Sequence, residues 1–313
     1  AMDFDTQETV IEYGADRKIE RILPTERNDA HRLIEECMIA ANVAAARFLQ
    51  RNKIPGLYRI HEGPTEERLK KLRAFLGELG LGLSGGEKPT PRDYTRVLEG
   101  VKGRADAHLI QTVMLRSLAQ ATYSPANAGH FGLALEAYAH FTSPIRRYPD
   151  LQVHRAIRHI LNGGKAADFP YTQADLLGLG EHCSMTERRA DEATRDAVEW
   201  LKCEFMLDKI GQVYDGVITG VTGFGLFVEL SGVYVEGLIH VTALRNDYYQ
   251  FDPVGQRLRG DRSGQIYRLG DSLRVRVVRV DLDERKIDFE LIESGRRDEK
   301  PRSPRSRGPR KKG

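Results

Sequence analysis

The side chains best placed for chemistry lie between residues 129 and 157, in the sequence GHFGLALEAYAHFTSPIRRYPDLQVHRAI. A polar loop is predicted to become a helix at Ser143 and the proline after it, since both residue types favour a helix start. A helix N-terminus favours phosphate, and the guanidinium groups of Arg146 and Arg147 match phosphate oxygens. The segment could therefore bind a nucleic-acid backbone or neutralise charge on a phosphate under attack. The alternative is a surface arginine pair that forms salt bridges with Asp150.

Basic residues are concentrated at the end of the chain, which indicates a polyanionic partner. The net charge is +3 over 313 residues. From residue 295 to residue 313, nine Arg and Lys stand against two acidic residues, which gives +7 there and leaves −4 for the rest. This stretch is rich in Pro, Ser, Gly and Arg, so we expect it to be disordered. A tail that only increases solubility is the alternative.

The composition argues against a membrane protein and against a cysteine-based metal site. Hydrophobic content of 40% and charged content of 30% are typical of a soluble globular protein. No apolar run approaches the roughly 18 residues that span a bilayer, and the first residues do not read as a secretory signal. Cys37, Cys183 and Cys203 are widely spaced and form no zinc-ligand pair. Such sparse cysteine use fits a reducing cytoplasm.

Helices dominate the first two thirds of the chain and would position the segment at 129–157. The opening residues alternate like a strand, and a second short strand follows. Thr25 is the predicted N-cap of an Ala-rich helix that runs to about Arg51. Further helices are predicted after Thr65, at about 91–100, 105–121 and 144–161, and at about 172–208.

From Gly211 onward the sequence consists of short β-rich runs separated by Gly, Asp and Asn, which predicts a separate all-β domain. The string VYDGVITGVTGFGLFVEL, followed by GLIHVTAL and YRLGDSLRVRVVRVDLDERKIDFEL, resembles the S1 RNA-binding domain almost from end to end. The resemblance implies a five-stranded barrel of the OB type, and with it RNA binding.

The aromatic residues of this barrel suit base stacking. Phe224 and Phe227 flank a glycine that permits a tight bend, and aromatic faces stack bases with about 1–3 kcal/mol each. The resemblance places Phe224, Phe227 and His240 on one binding face. Arg274 and Arg276 lie on the next strand, where they could reach phosphates. The alternative is that these aromatic side chains pack in the core, and for Phe227 the two interpretations are evenly balanced.

Two further stretches extend a resemblance over nearly the whole chain: NDAHRLIEECMIAAN at 28–42 and MTERRADEATRDAVEWLKCEFM at 185–206. With the segment at 129–157, they resemble the ribonuclease R group of the RNase II/RNB family, which are processive 3′→5′ exoribonucleases. The resemblance implies an α+β chain. It comprises the mostly helical C-terminal part of an RNB catalytic domain at 1–208, an S1 barrel at 209–294 and a disordered basic tail at 295–313.

The resemblance also implies an activity and the residues that carry it. The family hydrolyses RNA from the 3′ end to nucleoside 5′-monophosphates with magnesium. The catalytic arginine falls on Arg146, which would contact the terminal phosphate and stabilise the transition state, and the carboxylate that reads the ribose hydroxyl falls on Glu35. The remaining residues of the motif are expected to line or support the RNA channel: Tyr138, His140, Ser143, Arg147 and Tyr148.

Magnesium ligands are the part of the family pattern that this sequence lacks. Two-metal hydrolysis needs a cluster of aspartates, and the candidates Asp3, Asp5, Asp191 and Asp196 are isolated or lie on amphipathic stretches. We therefore expect the Mg²⁺ ligands to lie outside this chain. Alone, the chain should bind RNA and cleave it weakly or not at all. The alternative is a non-catalytic RNA-binding module that docks on a ribosome or another RNA–protein complex through its tail.

Overall fold

The first element of the fold is an antiparallel hairpin, formed by the two strands that the sequence predicts. The computed structural model describes residues 9–25, 27–104, 106–244 and 247–292. The hairpin pairs β1 (Thr9–Tyr13) with β2 (Ile19–Pro24), and Ile22 on β2 joins the main hydrophobic core. The tail at 295–313, predicted to be disordered, lies outside the described residues.

Helix α1 (Asp29–Arg51) begins later than the sequence predicts. Its N-cap is Asn28, whose Oδ1 accepts from the backbone N–H of His31 at 3.1 Å, while Nδ1 of His31 accepts from the N–H of Asn28 at 3.3 Å. The prediction of Thr25 was wrong because the chain is still in β2 at Pro24, and Asn28 is the residue that completes a reciprocal cap.

The buried face of α1 lies in its second half, at Asn42, Ala45, Ala46 and Leu49. In the first half, Leu33 and Ile34 are more than half exposed. The apolar spacing therefore predicts the helix correctly but not the part of it that packs.

Three shorter helices follow near their predicted positions: α2 (Glu66–Glu78), α3 (Pro91–Gly100) and α4 (Ala107–Ser117). Thr65 caps α2, since its hydroxyl accepts from the N–H of Arg68 at 3.4 Å. Two short strands, β3 (Tyr58–Ile60) and β4 (Thr122–Ser124), pair antiparallel beside them. Helix α4 ends earlier than predicted because the backbone is already extended at Leu118, on the way to β4.

Helices α5 (Tyr148–Leu161) and α6 (Gln173–Met206) complete the helical part. With 34 residues, α6 is about 51 Å long at ~1.5 Å per residue. It begins where predicted, with Thr172 and Asp175 as a reciprocal cap. Gly180 is buried against β4, where a Cβ would lie 2.6 Å from the carbonyl oxygen of Tyr123. The glycine therefore allows α6 to approach the backbone of β4.

Replacing Gly180 by alanine is expected to lower the free energy of unfolding by about 1–3 kcal/mol, because the added methyl group meets rigid backbone. Gly178 is the matched control, since it lies on the same helix and a Cβ there would contact nothing within 4 Å. Gly178→Ala should instead stabilise the helix by about 0.5–1 kcal/mol. Urea denaturation of both variants measures the difference, and equal effects would show that the contact with β4 is unimportant.

The last third of the chain is the closed five-stranded barrel that the sequence predicts. Its strands are β5 (Val213–Thr222), β6 (Gly225–Leu230), β7 (Glu236–His240), β11 (Ser272–Asp281) and β12 (Lys286–Ile292), in the order β11-β12-β7-β6-β5. Alternate residues point inward and are buried: Ile218, Leu226, Val228, Ile239, Val275, Val277, Ile287 and Phe289. The side chains between them form the outer face of the barrel.

A small sheet that the sequence did not predict is inserted between β7 and β11. It consists of β8 (Tyr249–Asp252), β9 (Arg257–Gly260) and β10 (Ile266–Arg268), in the order β10-β9-β8. Its strands have three or four residues each, too few for a clear alternating pattern.

The barrel and the helical part share one hydrophobic core. Leu72 and Met114 from the helices belong to the same buried cluster as Ile218 and Val228 from the barrel. Polar contacts join the two parts as well, since Arg257 forms an ion pair with Glu78 at 3.3 Å. In the described part of the chain, no helix combines the length and the apolar composition needed to cross a bilayer.

Candidate functional site

The loop before α5 presents Arg146 at the surface. The predicted helix start at Ser143 and Pro144 was wrong, because residues 143–147 form a turn in which the N–H of Arg147 donates to the carbonyl oxygen of Ser143 at 3.0 Å. Helix α5 begins at Tyr148, with Pro149 in its first turn. Arg146 lies in this turn with an exposed side chain, so its guanidinium can meet a ligand from solvent.

A buried carboxylate fixes the shape of this turn. The side chain of Asp150 is fully buried, and its Oδ1 accepts from the backbone N–H of Ser143 and from the guanidinium of Arg147, both at 2.8 Å. Within the described residues, Oδ2 of Asp150 has no hydrogen-bond partner, nor has Nε of Arg147. The salt bridge considered from the sequence therefore exists for Arg147, while Arg146 is left exposed.

Beside the turn lies a group of aromatic and histidine rings, Tyr123, His130, Tyr138 and His140, here called the ring cluster. The Tyr123 hydroxyl and Nδ1 of His140 lie 2.8 Å apart. The ring of Tyr138 packs edge-on against both His130 and His140, with centroids 5.4 and 5.7 Å away. The structure thus brings together Tyr138 and His140, which the sequence predicted, with two rings that it did not.

The histidines of the ring cluster are neutral at physiological pH. Burial lowers the pKa of His140 to about 3, with smaller contributions from Arg147, Arg59 and Arg146. Burial lowers the pKa of His130 to about 4, and the nearby His61 adds to the effect. Positive charge at the site therefore comes from arginine, and the imidazoles act as neutral hydrogen-bonding and packing groups.

Asn42 on α1 joins that helix to the ring cluster. Its Nδ2 donates to the Tyr138 hydroxyl at 2.9 Å, and its Oδ1 accepts from the N–H of Phe141 at 2.8 Å. Glu35 lies seven residues earlier on the same helix face, about 10 Å away along the axis. The Glu35 carboxylate accepts from the guanidinium of Arg27, with Nε and Oε1 3.2 Å apart.

Arg59 on β3 is a second residue that the sequence analysis missed. Its guanidinium lies 4.6 Å from the centre of the Tyr123 ring and forms an ion pair with Glu187 on α6 at 2.6 Å. The Arg59 side chain is mostly buried, so its cation–π contact and its ion pair are shielded from solvent and hold Tyr123 and Glu187 in position. Arg59 therefore fixes the ring cluster to the middle of α6.

Tyr148, at the start of α5, is held at the surface by two neighbours. The guanidinium of Arg155 donates to the Tyr148 hydroxyl at 3.1 Å and to the Tyr171 hydroxyl at 3.0 Å. The Tyr148 residue remains two fifths exposed. Its ring is therefore both oriented and accessible, as stacking on a base requires.

The predicted aromatic residues of the barrel meet at one end of it. Phe224 and Phe227 pack edge to face with ring centroids 5.9 Å apart, and half of Phe224 is exposed. His240 is exposed and pairs across the strands with Gly225, which lies between the two phenylalanines. The three side chains can therefore contact the same ligand.

Arg274 and Arg276 lie elsewhere on the barrel. Both are exposed on β11, where Arg274 pairs with Asp215 on β5. Phe227 pairs with Gly220, five residues further along β5, or about 16 Å at ~3.3 Å per residue. The two arginines also face acidic residues, with Arg276 3.5 Å from Glu290. The structure therefore does not bring them to the aromatic end.

The described residues do not fit a magnesium centre. Nowhere in the described ranges do three or more His, Cys, Asp or Glu side chains come together in a way that could hold a metal ion. Asp191 and Asp196 are exposed on α6, and Asp196 is engaged by Arg285 at 3.5 Å.

Comparison with known proteins relates the chain to two families. Residues 1–163, just over half of the chain, match the RNB domain, and residues 207–292 match the S1 RNA binding domain. Ribonuclease R of Escherichia coli (strain K12) is 57% identical over an alignment of 303 residues that covers 94% of this chain and 37% of that protein. Ribonuclease R of Aquifex aeolicus (strain VF5) is 45% identical, with 94% and 41% covered. The chain thus spans about two fifths of the length of these relatives.

Solved structures show the same architecture. The apo form of Mycoplasma genitalium RNase R matches with a TM-score of 0.84 and 27% identity, over 93% of this chain and 46% of that one. The same protein in complex with ribose methylated single-stranded RNA matches with a TM-score of 0.83, at the same identity and coverage. This likeness extends over the helical part and the barrel together.

Proposed function

We propose that this chain, which belongs to the RNB family, takes part in the 3′→5′ exonucleolytic hydrolysis of RNA to nucleoside 5′-monophosphates. The observation that carries the proposal is the exposed Arg146 beside the neutral ring cluster, on a turn that Asp150 fixes. The ribonuclease R relatives support it, and so does the S1 match, because S1 is an RNA-binding domain. A cytoplasmic location follows from the proposal.

Arg146 is proposed as the catalytic residue. A guanidinium forms paired hydrogen bonds to the oxygens of a phosphate. When water attacks the terminal phosphodiester, negative charge grows on those oxygens, so a positioned arginine binds the transition state more tightly than the substrate. Magnesium is proposed as the cofactor of the complete enzyme, and its ligands are not among the described residues of this chain.

The other predicted residues are proposed to hold the RNA. Tyr148 stacks on a base near the phosphate, while Tyr138, His140 and Arg147 support the turn and its surroundings. On the barrel, Phe224, Phe227 and His240 form a second contact with single-stranded RNA. Arg274 and Arg276 are proposed to contribute less to RNA binding, because their acidic neighbours offset their charge.

A chimera tests the proposed function directly. In it, this chain replaces the aligned region of Escherichia coli ribonuclease R, which is 37% of that protein. We expect the purified chimera to release nucleoside monophosphates from a 3′-hydroxyl RNA in the presence of Mg²⁺. A chimera that is folded and binds RNA but releases none would contradict the assignment.

Glu35 is expected to provide the preference for RNA over DNA, because a carboxylate can accept a hydrogen bond from the 2′-hydroxyl. Glu35→Gln removes the charged acceptor, so the affinity of the chain for an RNA oligomer should fall about tenfold, while that for the DNA oligomer stays unchanged. Fluorescence anisotropy with both oligomers measures this ratio. Glu36→Gln, at the neighbouring exposed position, is the control, and equal losses for RNA and DNA would remove Glu35 from this role.

A non-catalytic RNA-binding module is the second candidate. It is favoured by the S1 match and by the lack of a metal-ligand group within the described residues. In this case the basic residues at 295–313 would dock the chain on a ribosome or another RNA–protein complex. Deleting these residues would then abolish co-sedimentation with ribosomes while leaving the affinity for free RNA unchanged, and the chimera would show no hydrolysis.

A further inference from the structure

A cleft lies between α6 and the outer face of the barrel. Its volume is about 1010 Å³, at the upper end of the ~300–1,000 Å³ found for small-ligand sites. One wall is a single face of α6, since Asp191, Arg195, Val198 and Lys202 recur every three or four residues. The opposite wall comes from β6, β7 and β12 and includes both aromatic residues predicted to stack bases.

Two polar contacts fix the width of this cleft. The Lys202 ammonium group donates to the carbonyl oxygen of Tyr234 at 2.7 Å, which ties α6 to the barrel just before β7. Arg285, in the turn between β11 and β12, forms an ion pair with Asp196 at 3.5 Å. Because the two parts also share a hydrophobic core, the cleft is formed before any ligand arrives.

The lining separates an apolar region from an acidic one. Phe224 and Phe227 supply aromatic surface to the cleft. Glu229 and Glu236 also line the cleft and are cross-strand partners on the same outer face, and burial raises the pKa of Glu229. A phosphate would be repelled from these carboxylates, whereas the amino and imino groups of a base could donate to them. The lining thus favours a ligand whose base contacts the aromatic and acidic side chains and whose phosphate lies away from the two carboxylates.

Arg195 is the cation placed to meet that phosphate. It lies on the α6 wall of the cleft with an exposed side chain. Among the described residues its guanidinium has no hydrogen-bond or ion-pair partner, in contrast to Lys202 and Arg285 in the same cleft. Asp191 and Glu199 lie four residues before and after it in the same lining, but neither forms a direct ion pair with it among the described residues.

We propose that the cleft binds one nucleotide of single-stranded RNA, with the unstacked base between Phe224 and α6 and the phosphate at Arg195. The inference rests on the proposed function, since the barrel must first bind RNA. According to this proposal, α6, the last helix of the helical part, forms the second wall of the path that the RNA follows. RNA leaving the barrel would then follow α6 toward Glu187, eight residues before Arg195, and from there reach Arg59 and the ring cluster.

The test compares two arginines of α6 in the full chain. Arg195→Ala should weaken binding of a single-stranded RNA oligomer about tenfold at 0.1 M salt and reduce the salt slope by about one, as expected for one lost phosphate contact. Arg189→Ala is the control, because it removes the same charge from the same helix but about 120° around its axis. Fluorescence anisotropy as a function of salt gives both quantities. Equal effects of the two variants would overturn the proposal that this face of α6 contacts the RNA.

A third variant separates this inference from the proposed function. If Phe224→Ala weakens RNA binding and Arg195→Ala does not, the barrel binds RNA without α6 and only the inference fails. If neither variant weakens binding, RNA binding by the barrel face fails as well. Photocrosslinking of RNA that contains 4-thiouridine gives an independent result: crosslinks to both the barrel and residues 185–206 support the cleft, and crosslinks to the barrel alone overturn it.

Discussion

Replacing Arg146 by alanine should slow RNA hydrolysis by the chimera about 10²–10³-fold, the loss expected when a single stabilising group is removed from a transition state. The Michaelis constant should change little, because the contact strengthens as charge develops on the phosphate. Arg146→Lys should recover only part of the rate, since an ammonium group cannot form the paired hydrogen bonds of a guanidinium.

The kinetic parameters also show which role Arg146 has. Single-turnover hydrolysis of a labelled RNA measures the chemical step, and anisotropy measures binding separately. Arg158→Ala is the control, because Arg158 is exposed near the C-terminal end of α5. An Arg146→Ala variant with weaker binding but an unchanged rate would assign Arg146 to RNA binding rather than catalysis.

Much of the fold could be predicted because its signals are local. Thr65 and Thr172 begin α2 and α6 through hydrogen bonds to residues three positions later. The barrel strands alternate between inward and outward residues, so a few neighbouring positions suffice to recognise each one. The start of α1 was misjudged for a local reason too, since several polar residues before it can act as caps.

The site was harder to predict because its contacts join distant residues. Asn42 and Tyr138 are 96 positions apart in the chain, and Arg59 and Glu187 are 128 apart. No periodic pattern relates such pairs, so Asn42 and Arg59 were not recognised. A polar residue within an alanine-rich run is the signal that Asn42 offered, because buried polar groups need partners.

The start of α5 shows how a tertiary contact decides between local alternatives. Pro144 and Pro149 both suit a first helical turn, and the sequence analysis predicts the start at Ser143 and Pro144. The structure selects Pro149. Asp150, in the first turn of the helix, accepts from the N–H of Ser143, and this bond holds the preceding residues in a turn. The exposed position of Arg146 is thus a consequence of a buried carboxylate seven residues from Ser143.

Replacing Asp150 by asparagine is accordingly expected to affect both stability and activity. The amide keeps the size of the side chain but leaves the mostly buried guanidinium of Arg147 without its counter-charge. Breaking a buried ion pair on one side costs about 3–5 kcal/mol of the free energy of unfolding. The turn should also loosen, and a displaced Arg146 would reduce the hydrolytic rate of the chimera about 10²-fold.

The same type of ion pair elsewhere in the chain provides the control for Asp150→Asn. Asp29 and Arg32 are also three positions apart, at 3.4 Å, but both are exposed, so Asp29→Asn should cost less than about 1 kcal/mol. Urea denaturation measures the free energy of unfolding. Single-turnover hydrolysis without urea, at a temperature at which the variant is folded, measures the hydrolytic rate of the folded protein. If Asp150→Asn lowers stability but leaves that rate unchanged, Asp150 supports the fold alone. If it lowers both, and Arg146→Ala in the same background causes little further loss of rate, the carboxylate acts through the position of Arg146.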